Sequence, residues 1–433
     1  MKKNKLKIGF WMSLSLVSGN MIGSGIFLLP AALAVFGGIS ILGWLFSTLG
    51  AILLAIVFAR LSRIVSGVGG PYIYAREGFG RFTGFMVAWG YWISIWTGNA
   101  AISVAAVGYL GFFWSPLGKD PLLAGLTAMG SIWFFTWINS MNIRRVGYVQ
   151  LITTILKVLP LFAIVAFGFF SFNVENFRPF NLSKVSNFTA ITTTAALTFW
   201  ALTGLESATI PADKVRNPKK TIYRATLFGT LIVALLYILS TVAVMGIIAP
   251  SDLRNSTAPF ADAAQEIWAP WAGLLIAAGG AISCFGALNG WILLQGQIPM
   301  AAALDGVFPG IFRRRSKKGI PLPGLIISSL LASILIYMNF SHGLVAMFTF
   351  IIMLSVLTNL LPYFVTTLFE IKLYFQSPKK NGLIYHGRLS ISILAFLFTV
   401  WAIYGLGLKV LGWGVVLLSL GIPVYLFVTK WQR

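Results

Sequence analysis

Few side chains in this sequence of 433 residues are suited to covalent or metal-assisted chemistry. There are two histidines, His342 and His386, and one cysteine, Cys284, and no paired carboxylates or metal-ligand spacing. The sequence therefore argues against an enzyme, a bound cofactor and a metal site. The ionisable residues of interest are Glu206 and Lys157, because both lie within apolar runs where an isolated charge is costly.

The roles of Glu206 and Lys157 each have two interpretations. Glu206 either acts in proton-sensitive gating beside a ligand or caps the unwound backbone of its own helix, and we favour gating because ionisable groups and broken helices coincide on transport pathways. Lys157 either extends toward the membrane surface or lies buried and couples function to protons. The sequence alone leaves the choice for Lys157 open.

Two tryptophans stand apart from the fifteen in the chain, most of which we expect at membrane interfaces or in packing. Trp200 lies in a helix interruption, and Trp291 follows Asn289-Gly290 inside a long apolar run. A tryptophan face attracts a desolvated cation by roughly 2 kcal/mol. The pair therefore predicts a cationic ligand that needs no fixed carboxylate partner.

The helix interruptions are the elements that must position these residues. Glycines, serines and an asparagine interrupt residues 18–30, and residues 199–208 are broken in a similar way five spans later. Unpaired backbone groups cost several kcal/mol in hydrocarbon, so such a segment survives only where it is buried or lines a watery cavity. Glycines also serve close helix packing, but a second interruption that contains a carboxylate favours a binding site between the two breaks.

The first interruption suits the charged groups of a zwitterion. The exposed amides of Ser24, Gly25 and Ile26, at the start of a half-helix, are predicted to bind a carboxylate. The freed carbonyls near Met21 and near Trp200 and Leu202 are predicted to bind an ammonium group.

The composition is that of an all-α membrane protein. The chain is 58% hydrophobic and 10% charged, with a mean hydropathy of +0.87. We count twelve apolar segments long enough to span a bilayer, and they predict twelve transmembrane helices. We interpret residues 8–172 and 190–369 as two inverted five-helix repeats with broken helices 1 and 6, and residues 389–429 as two appended helices.

The net charge of +22 is concentrated on one side of this predicted topology. One orientation places nearly all basic residues on the same face, and the positive-inside rule then puts both termini in the cytoplasm. This distribution argues against a nucleic-acid-binding protein. The apolar run after the N-terminal lysines is too long for the core of a signal peptide, so we expect an uncleaved first helix.

Three motifs carry a resemblance to a known family. They are Gly23-Ser24-Gly25-Ile26-Phe27, residues 69–80 and residues 214–225. Together they closely resemble signatures of the amino acid/polyamine/organocation transporters, and the resemblance covers essentially the whole chain. Within that family, the sequence around Trp92, Gly98-Asn99 and Pro362-Tyr363 is most similar to bacterial arginine/agmatine antiporters.

The resemblance implies a fold and a set of site residues. It implies a LeuT-like arrangement, in which Tyr91, Glu206 and Tyr363 form a hydrogen-bonded set that closes the cytoplasmic path. It implies a cation-facing position for Trp291 and a gating position for Trp200. The remaining implied substrate contacts are Asn20, Asn99 and Ser355, with backbone carbonyls around Ser94 and Ile95.

Two positions separate the chain from the arginine/agmatine pattern. Lys157 stands where some family members carry a lysine in place of a bound ion, whereas the arginine/agmatine exchangers typically have a small apolar residue. Ile102 stands where that pattern has a methionine that packs on the substrate. These differences leave the substrate pair open.

The expected function is exchange of a cationic amino acid for a related amine or polyamine across the bacterial inner membrane. The first alternative is a proton-coupled amino-acid symporter, which Lys157 motivates. A more remote alternative is a receptor that binds an amino acid without transporting it. The resemblance also implies a possible homodimer formed through the last two spans.

Overall fold

The structure is a computed structural model that describes residues 9–65, 70–141, 143–209, 215–317, 319–339, 343–376 and 383–431. The side chains of residues 143–155, 383–387 and 431 are not described. Gly69, Lys214 and His342, the lysines of residues 1–8, and the side chain of His386 therefore lie outside the description.

The described residues form helices joined by turns, with no β-strand among them, which confirms the all-α prediction. The α-helices are α1 (Phe10–Met21), α2 (Ser24–Ala34), α3 (Ser40–Ile64), α4 (Pro71–Gly111), α5 (Pro116–Lys119), α6 (Pro121–Met141), α7 (Ile143–Gly168), α8 (Asn187–Ala201), α9 (Pro218–Ile247), α10 (Pro250–Leu253), α11 (Pro259–Ile267), α12 (Pro270–Leu304), α13 (Leu322–Asn339), α14 (Leu344–Gln376), α15 (Leu383–Gly405), α16 (Leu408–Ser419) and α17 (Gly421–Trp431).

Ten helical stretches of the described chain are long and apolar enough to cross a membrane. α7 and α8 occupy the two other positions where the sequence predicts spans, but neither meets that criterion over its described residues. The count of twelve therefore stays a prediction. Large apolar side chains such as Leu235, Leu275 and Val415 are more than half exposed, as expected for surfaces that face lipid.

Both predicted interruptions are present. α1 ends at Met21 and α2 begins at Ser24, with non-helical backbone at Ile22 and Gly23. α8 ends at Ala201, and the chain continues through turns and a short 3-10 helix, Ser207–Thr209. In the second break, Gly204 has φ +99°, a left-handed conformation that glycine adopts without a Cβ penalty.

Two groups of helices meet around these breaks. α4 packs along α12 and α14, while α3 packs on α8 and α9, and α1 packs on α9. α4 is itself divided at Gly80, so a short helix precedes its long membrane segment. The broken helices contact the first group through α2 with α4 and α8 with α14, and the candidate site lies at this boundary.

Candidate functional site

The two interrupted helices are joined directly by side chains. Asn20 Nδ2 donates a hydrogen bond of 2.9 Å to Ser207 Oγ, which ties the end of α1 to the 3-10 helix after α8. Tyr237 on α9 donates a bond of 2.7 Å from its hydroxyl to the carbonyl of Met21. The freed carbonyl predicted near Met21 therefore has a partner within the protein.

A small internal chamber lies between the two breaks, α4, α12 and α14. Its water-accessible volume is about 30 Å³, enough for roughly two waters. Nine of the residues that the sequence predicts for the substrate site line it, and these are Asn20, Met21, Ser24, Gly25, Ser94, Ile95, Trp200, Trp291 and Ser355. Three predicted residues, Ile26, Leu202 and Asn99, are not in its wall.

The first turn of α2 faces the chamber without a side-chain cap. Its N-cap residue, Gly23, makes no side-chain hydrogen bond, so the first amides of α2 lack the partner that a serine or aspartate cap provides. Ser24 Oγ is fully buried and has no hydrogen-bond partner among the described residues. A buried donor without a partner costs about 1–3 kcal/mol, so this corner of the chamber suits an anionic ligand group.

Asn359 on α14 provides a complementary acceptor that sequence reasoning missed. Its side chain lines the chamber and is 4% exposed, and its Oδ1 has no partner in the part of the chain that the structure describes. Its Nδ2 donates to the Tyr363 hydroxyl at 3.4 Å, whose own proton points to Glu206. That bond orients the amide so that its oxygen is available. The spacing of Ser355, Asn359 and Tyr363, four residues apart, could have identified it as part of one helix face.

Among the residues that the structure describes, no charged side chain lines the chamber. A cationic ligand would therefore meet aromatic faces, carbonyls and amide oxygens. The Trp291 indole lies beside Gly204, with its Cζ2 atom 3.4 Å from the position that a Cβ at this glycine would occupy. The carbonyl of Ser94 already accepts from Ser355 Oγ at 2.8 Å and from Thr97 Oγ1 at 3.1 Å, so part of the predicted acceptor set is internally satisfied.

A buried layer of three side chains borders the chamber on one side. Tyr91 donates to Glu206 Oε1 at 2.8 Å, and Tyr363 donates to Glu206 Oε2 at 2.5 Å. All three residues are at most 1% exposed, and no arginine or lysine among the described residues forms an ion pair with Glu206. Two phenols thus provide the hydrogen bonds that a carboxylate in a membrane interior requires.

An aromatic layer borders the opposite side. Trp200 makes an edge-to-face contact with Phe348 on α14, with ring centroids 5.7 Å apart. A Cβ at Gly25 would lie 2.7 Å from the Trp200 ring and 3.1 Å from Ala201 Cα. Only glycine permits this approach of α2 to the end of α8.

The order of residues along α14 places the chamber between these layers. Phe348, Ser355, Asn359 and Tyr363 follow in sequence, and a rise of about 1.5 Å per residue separates the first from the last by about 22 Å. α4 runs in the opposite direction, with Tyr91 at one layer and Ile102 further along in the chamber wall. The chamber therefore lies between the Glu206 layer and the aromatic layer.

Asn99 belongs to a buried network behind the chamber wall. Its Nδ2 donates to Gln295 Oε1 at 2.7 Å, and Gln295 Nε2 donates to Ser329 Oγ at 2.8 Å. Successive helical residues are rotated by about 100°, so Gly98 faces the chamber while Asn99 faces α12 and α13. The structure does not place the Asn99 side chain where the cationic end of the substrate is predicted to bind.

Lys157 is fully buried and donates from Nζ to the carbonyl of Gly19 on α1 at 3.2 Å. The alternative in which this side chain extends to the membrane surface is therefore wrong. No carboxylate of the described residues lies within ion-pair distance. Lys157 holds α7 to the unwound end of α1 and does not line the chamber.

Comparison with known proteins gives a consistent family assignment. The profile of the family described as "Amino acid permease" matches residues 8–428. The chain is 36% identical to the cadaverine/lysine antiporter of Escherichia coli K12 over 83% of this chain and 82% of that protein. It is 32% identical to the putrescine transporter PotE of Haemophilus influenzae over 99% and 98% of the two chains, and 33% identical to the E. coli K12 PotE over 98% and 96%.

Proposed function

The chain belongs to the amino acid permease family, and on that premise we propose that it exchanges a cationic amino acid for a related diamine or other polyamine by alternating access. As a multi-pass membrane transporter, it is not an enzyme. The relatives reported above carry the names of a cadaverine/lysine antiporter and of putrescine transporters. These names favour a basic amino acid and its decarboxylated amine as the substrate pair.

One observation carries the proposal most directly. The chamber has two polar atoms without a partner among the described residues. One is a donor, Ser24 Oγ, beside the uncapped start of α2, and the other is an acceptor, Asn359 Oδ1. A basic amino acid offers a carboxylate to the first and an ammonium group to the second. The described wall residues carry no charged side chain, which suits the exchange of a substrate that has a carboxylate for one that lacks it.

The chamber must enlarge before it can hold such a substrate. About 30 Å³ is far below the 300 Å³ or more of typical ligand pockets. Trp200 lines the chamber and is held by ring contact with Phe348 and by packing on Gly25. In the proposed cycle, displacement of Trp200 opens one side, and separation of Tyr363 from Glu206 opens the other.

Arginine and agmatine are a second substrate pair, suggested by the sequence motifs. Ile102 lines the chamber at the position where that branch has a methionine, and a shorter β-branched side chain changes the packing along the substrate's aliphatic stem. We therefore place lysine or ornithine, with cadaverine or putrescine, ahead of arginine with agmatine. Counterflow in liposomes, with all six compounds and a neutral amino acid as control, tests the order. Equal exchange of the neutral amino acid would contradict the proposal.

The carboxylate assignment is tested by Ser24→Ala. Loss of a hydrogen bond to a charged group costs about 1.5–3 kcal/mol, so we expect the affinity for lysine to fall about tenfold or more. The affinity for cadaverine, which has no carboxylate, should change less than twofold. Ser13→Ala is the matched control, because Ser13 Oγ on α1 is also fully buried and unpartnered but lies outside the chamber wall. Equal losses for both substrates would refute the assignment.

Proton-coupled symport is the alternative that a specific observation favours. Lys157 is buried without a carboxylate partner among the described residues, and protonation of such a group would change its bond to the Gly19 carbonyl at the unwound end of α1. Uptake into liposomes without internal substrate, driven by a pH gradient and lost in Lys157→Met, would support symport. Uptake that requires internal substrate in both proteins supports exchange.

The orientation and assembly form part of the proposal. The one-sided basic charge favours an inner-membrane protein with both termini in the cytoplasm. Exposed apolar residues on α16 and α17, including Val415 and Phe427, are compatible with a homodimer through the last two helices. We also propose residues 8–172 and 190–369 as the repeat boundaries, since each contains one interrupted helix near its start.

A further inference from the structure

A second polar site lies far from the chamber, where the ends of three helices meet. The last turn of α3, the last turns of α14 and the first turns of α15 border an open groove of about 500 Å³. Arg60 and Arg63 come from α3, Glu370 from α14, and Arg388 from α15. Among the described residues, the groove thus carries three arginines and one glutamate at the boundary of the apolar spans.

The single carboxylate is already engaged. Glu370 Oε2 accepts a bond of 2.6 Å from Ser392 Oγ, and Oε1 lies 3.5 Å from Arg60 Nη1. Arg60 Nη1 also donates to the Arg388 carbonyl at 3.1 Å. Glu370 and Arg60 are 11% and 14% exposed, so they form a mostly buried pair that links the three helices.

The other two arginines, Arg63 and Arg388, give the groove an excess of positive charge. Arg63 Nε donates to the carbonyl of Lys219 at 2.8 Å, and its guanidinium lies 4.1 Å from the centre of the Tyr223 ring. Both contacts hold the side chain in place without neutralising it. Neither Arg63 nor Arg388 has a carboxylate within 4.0 Å among the residues that the structure describes.

Part of the groove wall is apolar, because Ile64 and Leu373 line it beside the arginines. Ile64 is 64% exposed. A free anion such as phosphate would satisfy the arginines but leave this apolar surface uncovered. A phospholipid satisfies both, since its phosphate and its acyl chains are joined at the depth where the arginines and Ile64 meet.

We propose that this groove binds the headgroup of an anionic phospholipid, with its phosphate between Arg63 and Arg388 and its acyl chains along Ile64 and Leu373. Such a lipid would bridge α3 and α15 beside the buried Arg60–Glu370 pair. Phosphatidylglycerol fits this chemistry, because its net negative charge is opposite in sign to the excess charge of Arg63 and Arg388. The inference concerns binding at the membrane surface and does not depend on which substrate is exchanged.

The test measures thermal stabilisation of the purified full-length protein in detergent by dioleoyl phosphatidylglycerol. Dioleoyl phosphatidylcholine and inorganic phosphate serve as separate arms. At about 1 kcal/mol per basic residue near an anionic lipid and 1.4 kcal/mol per tenfold, Arg63→Gln with Arg388→Gln should weaken phosphatidylglycerol binding at least tenfold. Arg314→Gln with Arg315→Gln is the matched control, because it removes two exposed arginines elsewhere and should leave binding within twofold of the parent.

Arg388→Gln alone guards against a folding defect, because it leaves the contacts of Arg63 and the Arg60–Glu370 pair in place, and it should weaken binding about fivefold. Equal binding by the parent and both groove variants would overturn the site. Equal stabilisation by inorganic phosphate would overturn the lipid assignment. Counterflow measured in the same variants separates this result from the proposed exchange, because the binding readout requires no transport.

Discussion

Removal of the Tyr363 hydroxyl should open the layer formed by Tyr91, Glu206 and Tyr363. Tyr363→Phe keeps the ring contacts with Phe58 and Phe199 but deletes the 2.5 Å bond to Glu206 Oε2. A hydrogen bond to a charged group contributes about 1.5–3 kcal/mol, which corresponds to a shift of roughly 10- to 150-fold toward arrangements that let water reach Glu206.

The assay is the rate at which a membrane-impermeant thiol reagent labels the chamber from the cytoplasmic side. The native cysteine, Cys284, is fully buried, so Cys284→Ala provides the background. Ile102→Cys supplies a reporter in the chamber wall. In inside-out vesicles, Tyr363→Phe should raise the labelling rate about tenfold or more.

Tyr109→Phe is the control for loss of a buried tyrosine hydroxyl. Tyr109 is fully buried and donates to the Phe27 carbonyl at 2.7 Å, but it lies on α4 beyond Ile102, away from the Glu206 layer. It should leave cytoplasmic labelling within twofold. If Tyr363→Phe behaves like this control, or if its effect is unchanged in a Glu206→Gln background, the hydrogen bond does not hold the layer closed.

Three further substitutions test other parts of the structure. Gly25→Ala should raise the KM for exchange about tenfold or more because the new methyl group collides with Trp200, whereas Gly130→Ala, with open space around it, should leave the KM unchanged. Trp291→Leu should weaken substrate affinity about tenfold or more through loss of a desolvated cation-π contact, and unchanged equilibrium binding would contradict that contact. Burial raises the pKa of Asp262 in the folded protein, because the charged carboxylate is poorly solvated there. The folded protein is therefore most stable below the ordinary aspartate pKa of about 3.9 and loses that stability as the pH rises through the raised value. Asp262→Asn should therefore gain in unfolding temperature relative to the parent between pH 4 and pH 7, and a constant difference would contradict this.

The sequence predicted the helix breaks well because their physical cause is local. Gly23 and Gly25 flank Ser24 within one apolar run, and backbone that leaves the helix in a membrane requires a protein-lined site. The second break could be located for the same reason at residues 199–208. The contacts between the breaks, such as Asn20 with Ser207, depend on how distant helices pack, which local pattern does not determine.

Asn99 and Asn359 show why the sequence alone does not determine which individual residues face the chamber. Both are asparagines in apolar helices, and the motif at Gly98-Asn99 drew attention to the first. Gly98 and Ile102, four residues apart, share the chamber face of α4, while Asn99 is turned toward Gln295. Only the rotation of α4 within the bundle decides which neighbour faces the substrate, and that rotation is set by packing on α12 and α14.

The polar atoms that line the chamber also bear on why the protein should exchange substrates. In this structure, Ser24 Oγ and Asn359 Oδ1 are buried without partners among the described residues. A substrate's carboxylate and ammonium group would give each a charge-assisted hydrogen bond, about 1–1.5 kcal/mol better than a neutral one. Together they favour closure of the loaded protein over the unloaded protein by about 2–3 kcal/mol, or roughly 30- to 150-fold. A carrier that closes mainly when loaded changes the side that its site faces mainly with substrate bound. After it releases one substrate it must bind a second before it changes back, and this is the kinetic condition for exchange.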